Sequence, residues 1–364
     1  MKIQQLKLLN FRTYEKVNID FSDTSNIIYG KNGSGKTNLV EAIYVLALTK
    51  SFRGTVDKVL FMNDKDFTRI DGKISDQSVD VYSIIINSSG KKVKINNTNI
   101  DKLSDYISKI SVVLFHPDDL RIIKDTPSTR RKNMNLDISQ INNNYLKYLN
   151  SYNKVLKQRN MYLKSMYINN NKSRDYLGVL TDKLIDYGEK IYNTRLKFMK
   201  LINDQVNSIY YEITGLDSLK VIYKSDFSNF DKEIIRNTYN DYLEKDILFG
   251  KTNFGIHHDD VVFQLGNQYL KDYGSEGQQK NAIIAYKFAL LKIFNKIRDT
   301  YPILILDDLF SELDNEKINN ILKYIDKDVQ TFITTTDIDK ISKSIINKSK
   351  LFYIEEGEIR EVKK

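Results

Sequence analysis

Residues 30–37 read Gly-Lys-Asn-Gly-Ser-Gly-Lys-Thr, a complete G-x-x-x-x-G-K-[ST] pattern. It follows a short apolar stretch, Asn26 to Tyr29, and opens a segment in which Leu39, Val40, Ile43 and Ala47 are spaced for one buried helical face. Gly30, Gly33 and Gly35 permit a backbone that turns several N–H groups inward, an anion-binding nest. A helix from about Lys36 to Leu48 adds its positive N-terminal end. Lys36 would neutralise the β and γ phosphates of a nucleotide and Thr37 would offer its hydroxyl to Mg²⁺. Lys31, Asn32, Ser34 and Asn38 complete the stretch expected to contact ATP. The bland alternative is a glycine-rich turn that binds nothing, and the strand before it and the helix after it weigh against that. A strand, loop and helix of this kind demand an α/β fold.

Such a loop needs a carboxylate at the end of a neighbouring strand. Pro302 to Asp308, Pro-Ile-Leu-Ile-Leu-Asp-Asp, supplies two. Asp307 fits the Mg²⁺ side, directly or through water, and Asp308 would position or activate the attacking water. Catalysis is expected to rest on Lys36, Asp307 and Asp308, and metal binding on Thr37 and Asp307. Two acids after a strand could instead cap a turn. Asp307 lies 271 residues beyond Lys36, so a large segment is inserted between the two halves of the site. Upstream of the acids, Tyr273 to Lys280 resembles the ABC signature, a Ser/Gly/Gln turn opening a helix. There Ser275, Gly277 and Gln278 would bind a γ-phosphate held by a second subunit, or Ser275 would simply cap the helix. Ser311-Glu312-Leu313-Asp314 resembles the D-loop of the same class, which places Ser275, Ser311 and Asp314 at a dimer interface.

Strands are expected at Ile3–Phe11, where polar and apolar residues alternate, at Val17–Phe21 and Asn26–Tyr29, at 67–74, 79–86 and 91–95 with turn residues between them, and at the short apolar run Ser111–Phe115. From about Asp137 to Met166, and again from Leu177 to Ile209, apolar residues recur at helical intervals with a polar loop near Asn169 to Asn171 between. This helical pair is either a lid or arm or a hairpin packed on the main sheet. Alternation returns after about residue 245, with strands at Tyr301–Leu306 and Gln330–Thr335 and a hairpin turning at Glu356-Gly357. The expected organisation is an ATP-binding head from 1–118 with 245–364, and a helical lobe at 119–244.

Cysteine is absent, which excludes disulfides and thiolate metal sites and fits a reducing cytosol. No uncharged apolar run reaches the ~20 residues a membrane span requires, so the expected location is cytoplasmic. His116, His257 and His258 form no convincing metal site. The formal charge is +9, and +8 of it falls between Arg121 and Lys164, where ten basic residues face only Asp125 and Asp137. Clustered Lys and Arg reward phosphate neutralisation, so Arg121, Arg130, Arg131 and Lys132, with Arg53, are candidates for contact with a DNA backbone. A solvated basic face is the alternative.

Several segments together resemble the RecF family of bacterial repair ATPases. They are Leu9-Asn10-Phe11-Arg12 with Tyr14, Gly30 to Asn38, Thr49 to Arg53, Phe115 to Leu120, Pro127 with Arg130-Arg131, and Ser139-Gln140. Gln158-Arg159-Asn160, Gly255 to Asp260, Gly274 to Gln279 and Leu306 to Asp314 complete the set. The resemblance implies an ABC/SMC-like P-loop ATPase head, a mixed sheet with helices, carrying an inserted helical lobe. It also implies an ATP-dependent homodimer, DNA binding, slow hydrolysis that times it, and work with RecO and RecR in loading RecA at gaps. His116 takes the Q-loop position of ABC proteins, Glu276 stands where the family has Gln, Ile256 and His258 interrupt the usual Gly-Pro-His-Arg-Asp-Asp, and Thr334 to Thr336 stand near the transporter switch His. Another SMC-like DNA-associated ATPase is the competing reading. A transporter's ATP-binding subunit fits less well, because it lacks so long an insertion here.

Overall fold

A computed structural model of the chain describes residues 1–54, 56–168, 173–228, 230–312, 318, 321–322 and 325–362. In chain order the elements are β1 (Lys2–Phe11), β2 (Tyr14–Asp20), β3 (Ser25–Tyr29), α1 (Lys36–Leu48), β4 (Phe67–Ser75), β5 (Val79–Asn87), β6 (Gly90–Ile95), β7 (Thr98–Ile100), α2 (Leu103–Ile107) and β8 (Val112–Phe115). Next come α3 (Arg121–Lys124), α4 (Pro127–Ile141), α5 (Asn143–Ile168), α6 (Arg174–Thr214), β9 (Leu219–Lys224), α7 (Lys232–Asp241), α8 (Leu243–Phe249), β10 (Asp260–Leu265), β11 (Gln268–Tyr269) and α9 (Leu270–Tyr273). The chain closes with α10 (Glu276–Arg298), β12 (Ile303–Asp307), β13 (Thr331–Thr335), β14 (Ser349–Glu355) and β15 (Glu358–Val362). These elements form two compact units, Met1–Asp119 with Ile284–Lys364, and Leu120–Ile283.

The first unit holds two six-stranded sheets. One has the order β15-β14-β3-β13-β12-β8, in which β15 alone runs antiparallel. Its inner strands are continuous apolar runs, as strands covered on both faces must be; Ile303 to Asp307 of β12 is buried at every position. Nearly all of α1 is buried as well. The second sheet, β2-β1-β4-β5-β6-β7, is antiparallel. Its burial alternates, clearly so along β4, as a strand with two unlike faces requires. β2 starts at Tyr14, before the expected Val17, because Phe11 pairs with Tyr14 across a tight turn. The expected C-terminal hairpin forms, with Glu356 and Gly357 both at positive φ in its turn.

The second unit packs α5 along α6 and α4 against α5, with a small sheet in the order β11-β10-β9. The sequence predicted one helix from about Asp137. Two form instead, α4 beginning ten residues earlier, with Pro127 in its first turn, where a missing N–H costs nothing. The break falls at Asn142, whose extended backbone ends α4 and whose side-chain Oδ1 accepts from the Tyr145 N–H, 3.2 Å, opening α5. The segment 245–283, expected in the head, belongs to the inserted unit, since β10 pairs with β9 and α8 packs on α5. The insertion is therefore helical with a three-stranded sheet. Among the described residues no helix is long and apolar enough to cross a membrane.

Candidate functional site

Parallel pairing gathers the phosphate loop and the acids at one end of the first sheet. β3 delivers Tyr29 into the glycine loop, and its neighbour β13 places Thr335 beside Tyr29. On the other side of β13, Thr334 lies opposite Asp307 at the end of β12. Beyond that, β8 pairs Phe115 with Leu306, so His116 leaves its strand beside Asp307. The carboxyl ends of adjoining parallel strands are where α/β sheets bind ligands.

Within the loop, two glycines are required by geometry. At Gly30, φ is 154° and a Cβ would meet the Ile354 carbonyl oxygen at 2.2 Å; at Gly35, φ is 117° and a Cβ would lie 2.9 Å from the Tyr14 hydroxyl. That hydroxyl donates to the Gly35 carbonyl, 2.9 Å, and fixes the loop where α1 begins. Lys36 Nζ donates to the carbonyl oxygens of Gly30 and Lys31, both at 2.8 Å. Burial lowers the pKa of this ammonium from its ordinary value, while Asp308 and Asp307 act to raise it. Ser34 Oγ is buried and has no hydrogen-bond partner among the described residues. A buried hydroxyl left without a partner is a place at which a ligand oxygen can be received.

The acids are tied to the loop through hydroxyls. Thr37 Oγ1 donates to Asp307 Oδ1 at 3.0 Å, and Thr334 Oγ1 donates to the same oxygen at 2.7 Å. His116 Nε2 stands 3.6 Å from Asp307 Oδ2. Burial pushes the Asp307 carboxyl up, against the Thr334 hydrogen bond, His116 and the Thr37 hydroxyl. Asp308 has a left-handed backbone, φ 49°, and its N–H donates to Thr334 Oγ1 at 2.9 Å. Hydroxyl and carboxylate oxygens from Thr37 and Asp307 suit a hard cation such as Mg²⁺. Among the described residues no group of three or more His, Cys, Asp or Glu could hold a metal without further ligands.

The sequence reading missed Glu41. Fully buried on α1, it receives Arg12 through two hydrogen bonds of 2.9 and 2.7 Å, together with the Ser51 hydroxyl. Arg53 Nη1 lies 3.4 Å from Glu41 and donates to Asn38 Oδ1 at 2.8 Å. Arg53 is thus drawn to the helix that follows the phosphate loop. The signal for Glu41 was present: a single carboxylate among Leu39, Val40, Ala42 and Ile43. Thr334 had been noted only by its position, and nothing local marked it.

In the second unit, Ser275 and Gln278 form a reciprocal cap at the start of α10. The Gln278 N–H donates to Ser275 Oγ at 3.3 Å and the Ser275 N–H to Gln278 Oε1 at 2.9 Å. Ser275 and Gly277 are exposed. Ser311 lies in the turn Leu309–Glu312, and Asp314 falls outside the described residues.

The basic stretch requires a correction. Arg130 is buried, gripping Asp260 through two hydrogen bonds of 2.7 and 2.9 Å and donating to the Ile123 and Asp125 carbonyls. Arg159, counted in the same basic cluster, is 1% exposed and pairs with Asp246 at 2.7 Å. Both guanidiniums are buried, so Arg130 leaves the set of DNA candidates and Arg159 adds nothing to the exposed charge of the stretch. Arg131 is half-buried and donates to the Asp259 carbonyl at 2.7 Å, whereas Arg121 and Lys132 are exposed. Arg195 forms a further buried pair with Asp259. His257 Nδ1 is hydrogen-bonded to the Tyr152 hydroxyl at 2.8 Å, and its Nε2 lies 3.0 Å from the Thr252 carbonyl oxygen.

Comparison with known proteins matches residues 2–359 to the family described as RecF/RecN/SMC N terminal domain. The DNA replication and repair protein RecF of Streptococcus agalactiae is 40% identical over 365 residues, covering 99% of this chain and 98% of that protein. Its counterpart in Bacillus velezensis is 36% identical over 366 residues, covering 98% and 99%. A solved structure of the recombination mediator protein RecF-ATP in the RecFOR pathway superimposes with a TM-score of 0.91 at 29% identity, covering 100% of this chain and 98% of that one. An SMC head bound to a domain of ScpA shares the fold alone, with a TM-score of 0.57 at 15% identity, covering 100% and 97%. With an ABC/SMC-like head fold and relatives of this identity along nearly its whole length, the chain belongs to the RecF family.

Proposed function

We propose that this chain binds and slowly hydrolyses ATP, and that the nucleotide cycle times its hold on DNA during replication and recombinational repair. The observation that carries the reading is the hydrogen bond from Thr37 to Asp307, 3.0 Å across 270 residues of chain, which joins the phosphate loop to the acid strand. Gly30 to Asn38 would cradle the phosphates, with Lys36 leaving its two carbonyl partners for the β and γ oxygens. Thr37 and Asp307 would hold Mg²⁺, which when bound neutralises phosphate charge. Asp308 would orient the attacking water. The exposed serine turn, Ser275 to Gln278, suits contact with a γ-phosphate bound by a second copy, with Ser311 and Asp314 at the same interface, giving an ATP-dependent homodimer.

The names of the relatives, which are DNA replication and repair proteins, and the ATP and RecFOR pathway named for solved RecF proteins support this reading. DNA would be met through its backbone with little sequence reading, by the exposed Arg121 and Lys132 and the half-buried Arg131. The partners would be RecR and RecO in the cytoplasm, and the outcome RecA loading at gaps. DNA titrations with ATP, ADP and no nucleotide, run beside light scattering, test this. ATP should tighten DNA binding and drive dimer formation, and Lys36→Ala should abolish both. Nucleotide-driven dimers that survive Lys36→Ala would refute the reading.

A further inference from the structure

The hydroxyl of Thr334 makes a connection that no sequence motif announces. Thr334 is 1% exposed. Its oxygen accepts from the Asp308 N–H at 2.9 Å, so its only proton is directed to Asp307 Oδ1, 2.7 Å away. One hydroxyl therefore contacts both acids, the first through its carboxylate and the second through its backbone. That backbone is left-handed at a non-glycine residue, φ 49°. Such a conformation persists only where the surroundings over-determine it. Thr37 donates to the same Asp307 oxygen at 3.0 Å, and His116 Nε2 stands 3.6 Å from the other. Asp307 is thus held by hydroxyls from two elements, α1 and β13, with His116 near its other oxygen, and the Asp308 backbone is tied to the same residue that holds Asp307.

We propose that Thr334 is a positioning residue for hydrolysis, locking the metal-side acid and the water-side acid into a single unit. This rests on the nucleotide reading above and adds to it the device that sets the relative orientation of Asp307 and Asp308. Hydroxyl geometry carries the effect, so a same-shaped side chain without a hydroxyl should lose it and serine should restore it. Outer contacts of this kind typically change activity or metal affinity by about 10- to 100-fold.

The test compares Thr334→Val, Thr334→Ser and Thr334→Cys in the full-length chain. Steady-state ATP hydrolysis is measured, with Mn²⁺ affinity in the presence of a non-hydrolysable ATP analogue followed by electron paramagnetic resonance. Thr334→Val is expected to lower kcat about 10- to 100-fold with KM for ATP close to the parent value, and to weaken Mn²⁺ binding. Thr334→Ser should return both toward the parent. Thr334→Cys, a weak donor and acceptor, should fall between and serves in place of valine if that variant does not fold. Equal kcat in valine, cysteine and threonine forms would overturn the inference, as would equal loss in valine and serine, which would assign the effect to packing. If the parent chain binds ATP and the rates ignore Thr334, only this inference falls. If the parent chain binds no ATP, the nucleotide reading falls with it.

Discussion

Asp246→Asn is a substitution of equal size that leaves one guanidinium buried without its counter-charge. Asp246 is 0% exposed and Arg159 1%, and they meet at 2.7 Å. Asparagine keeps an acceptor for the Asn253 N–H and side-chain amide, now 3.0 and 2.9 Å from Asp246 Oδ1, so the loss is confined to the charged contact. Breaking such a pair costs about 3–5 kcal/mol. Arg159 retains Thr252 at 2.8 Å and Thr181 at 3.1 Å, which places the cost at the lower end, about 3 kcal/mol. At 1.4 kcal/mol per decade this is roughly a hundredfold loss of amide protection. Hydrogen exchange resolved by peptide should show it in α5, α6 and α8, with β12 and β13 little changed. Replacing both partners by apolar residues, Arg159→Met with Asp246→Leu, should recover most of the protection and leave DNA affinity intact. A loss under about 0.5 kcal/mol, of the size expected for an ordinary surface substitution, would refute the reasoning. So would weakened DNA binding in a stable double variant.

Three further outcomes follow from the same geometry. Burial lowers His257 to about 4, below its ordinary value of 6.5. The unfolded chain therefore gains a proton that the folded one refuses, and stability present above pH 6.5 should fall by about 3 kcal/mol as pH drops to 4; urea midpoints in His257→Asn should show a flatter dependence over that window. Gly35→Ala would place a methyl group 2.9 Å from the Tyr14 hydroxyl at φ 117°, and calorimetry should find ATP affinity reduced roughly 10- to 100-fold, the equivalent of about 1–3 kcal/mol of strain. Reversing the exposed Arg121 and Lys132 to Glu should weaken DNA binding and make the slope of log affinity against log salt shallower by about 2, and an unchanged slope would remove this surface from the DNA contact.

What could be read from the sequence was the part encoded over short distances. Gly30 to Thr37, the run ending at Asp307-Asp308, and the turn from Ser275 to Gln278 each lie within eight residues, and the strand and helix around the first, the buried strand before the second and the helix after the third all form. The contact of Thr334 was not legible, because it arises only when β13 lies between β3 and β12, bringing the hydroxyl to a carboxylate 27 residues away. The helix break at Asn142 was hidden for a different reason: apolar spacing continues across it, and the asparagine cap is a weaker signal than the stripe. The charge count failed at Arg130 and Arg159 because composition counts charges without their partners. Those partners, Asp260 and Asp246, stand 130 and 87 residues further along the chain. The same pairings explain why the return to the head is at Ile284 and not at 245, since the carboxylates that neutralise the first helices of the insertion lie in its last third. A basic segment read alone suggests a polyanion site; folded, part of its charge holds the insertion together, and only the remainder, Arg121 and Lys132 among it, faces solvent.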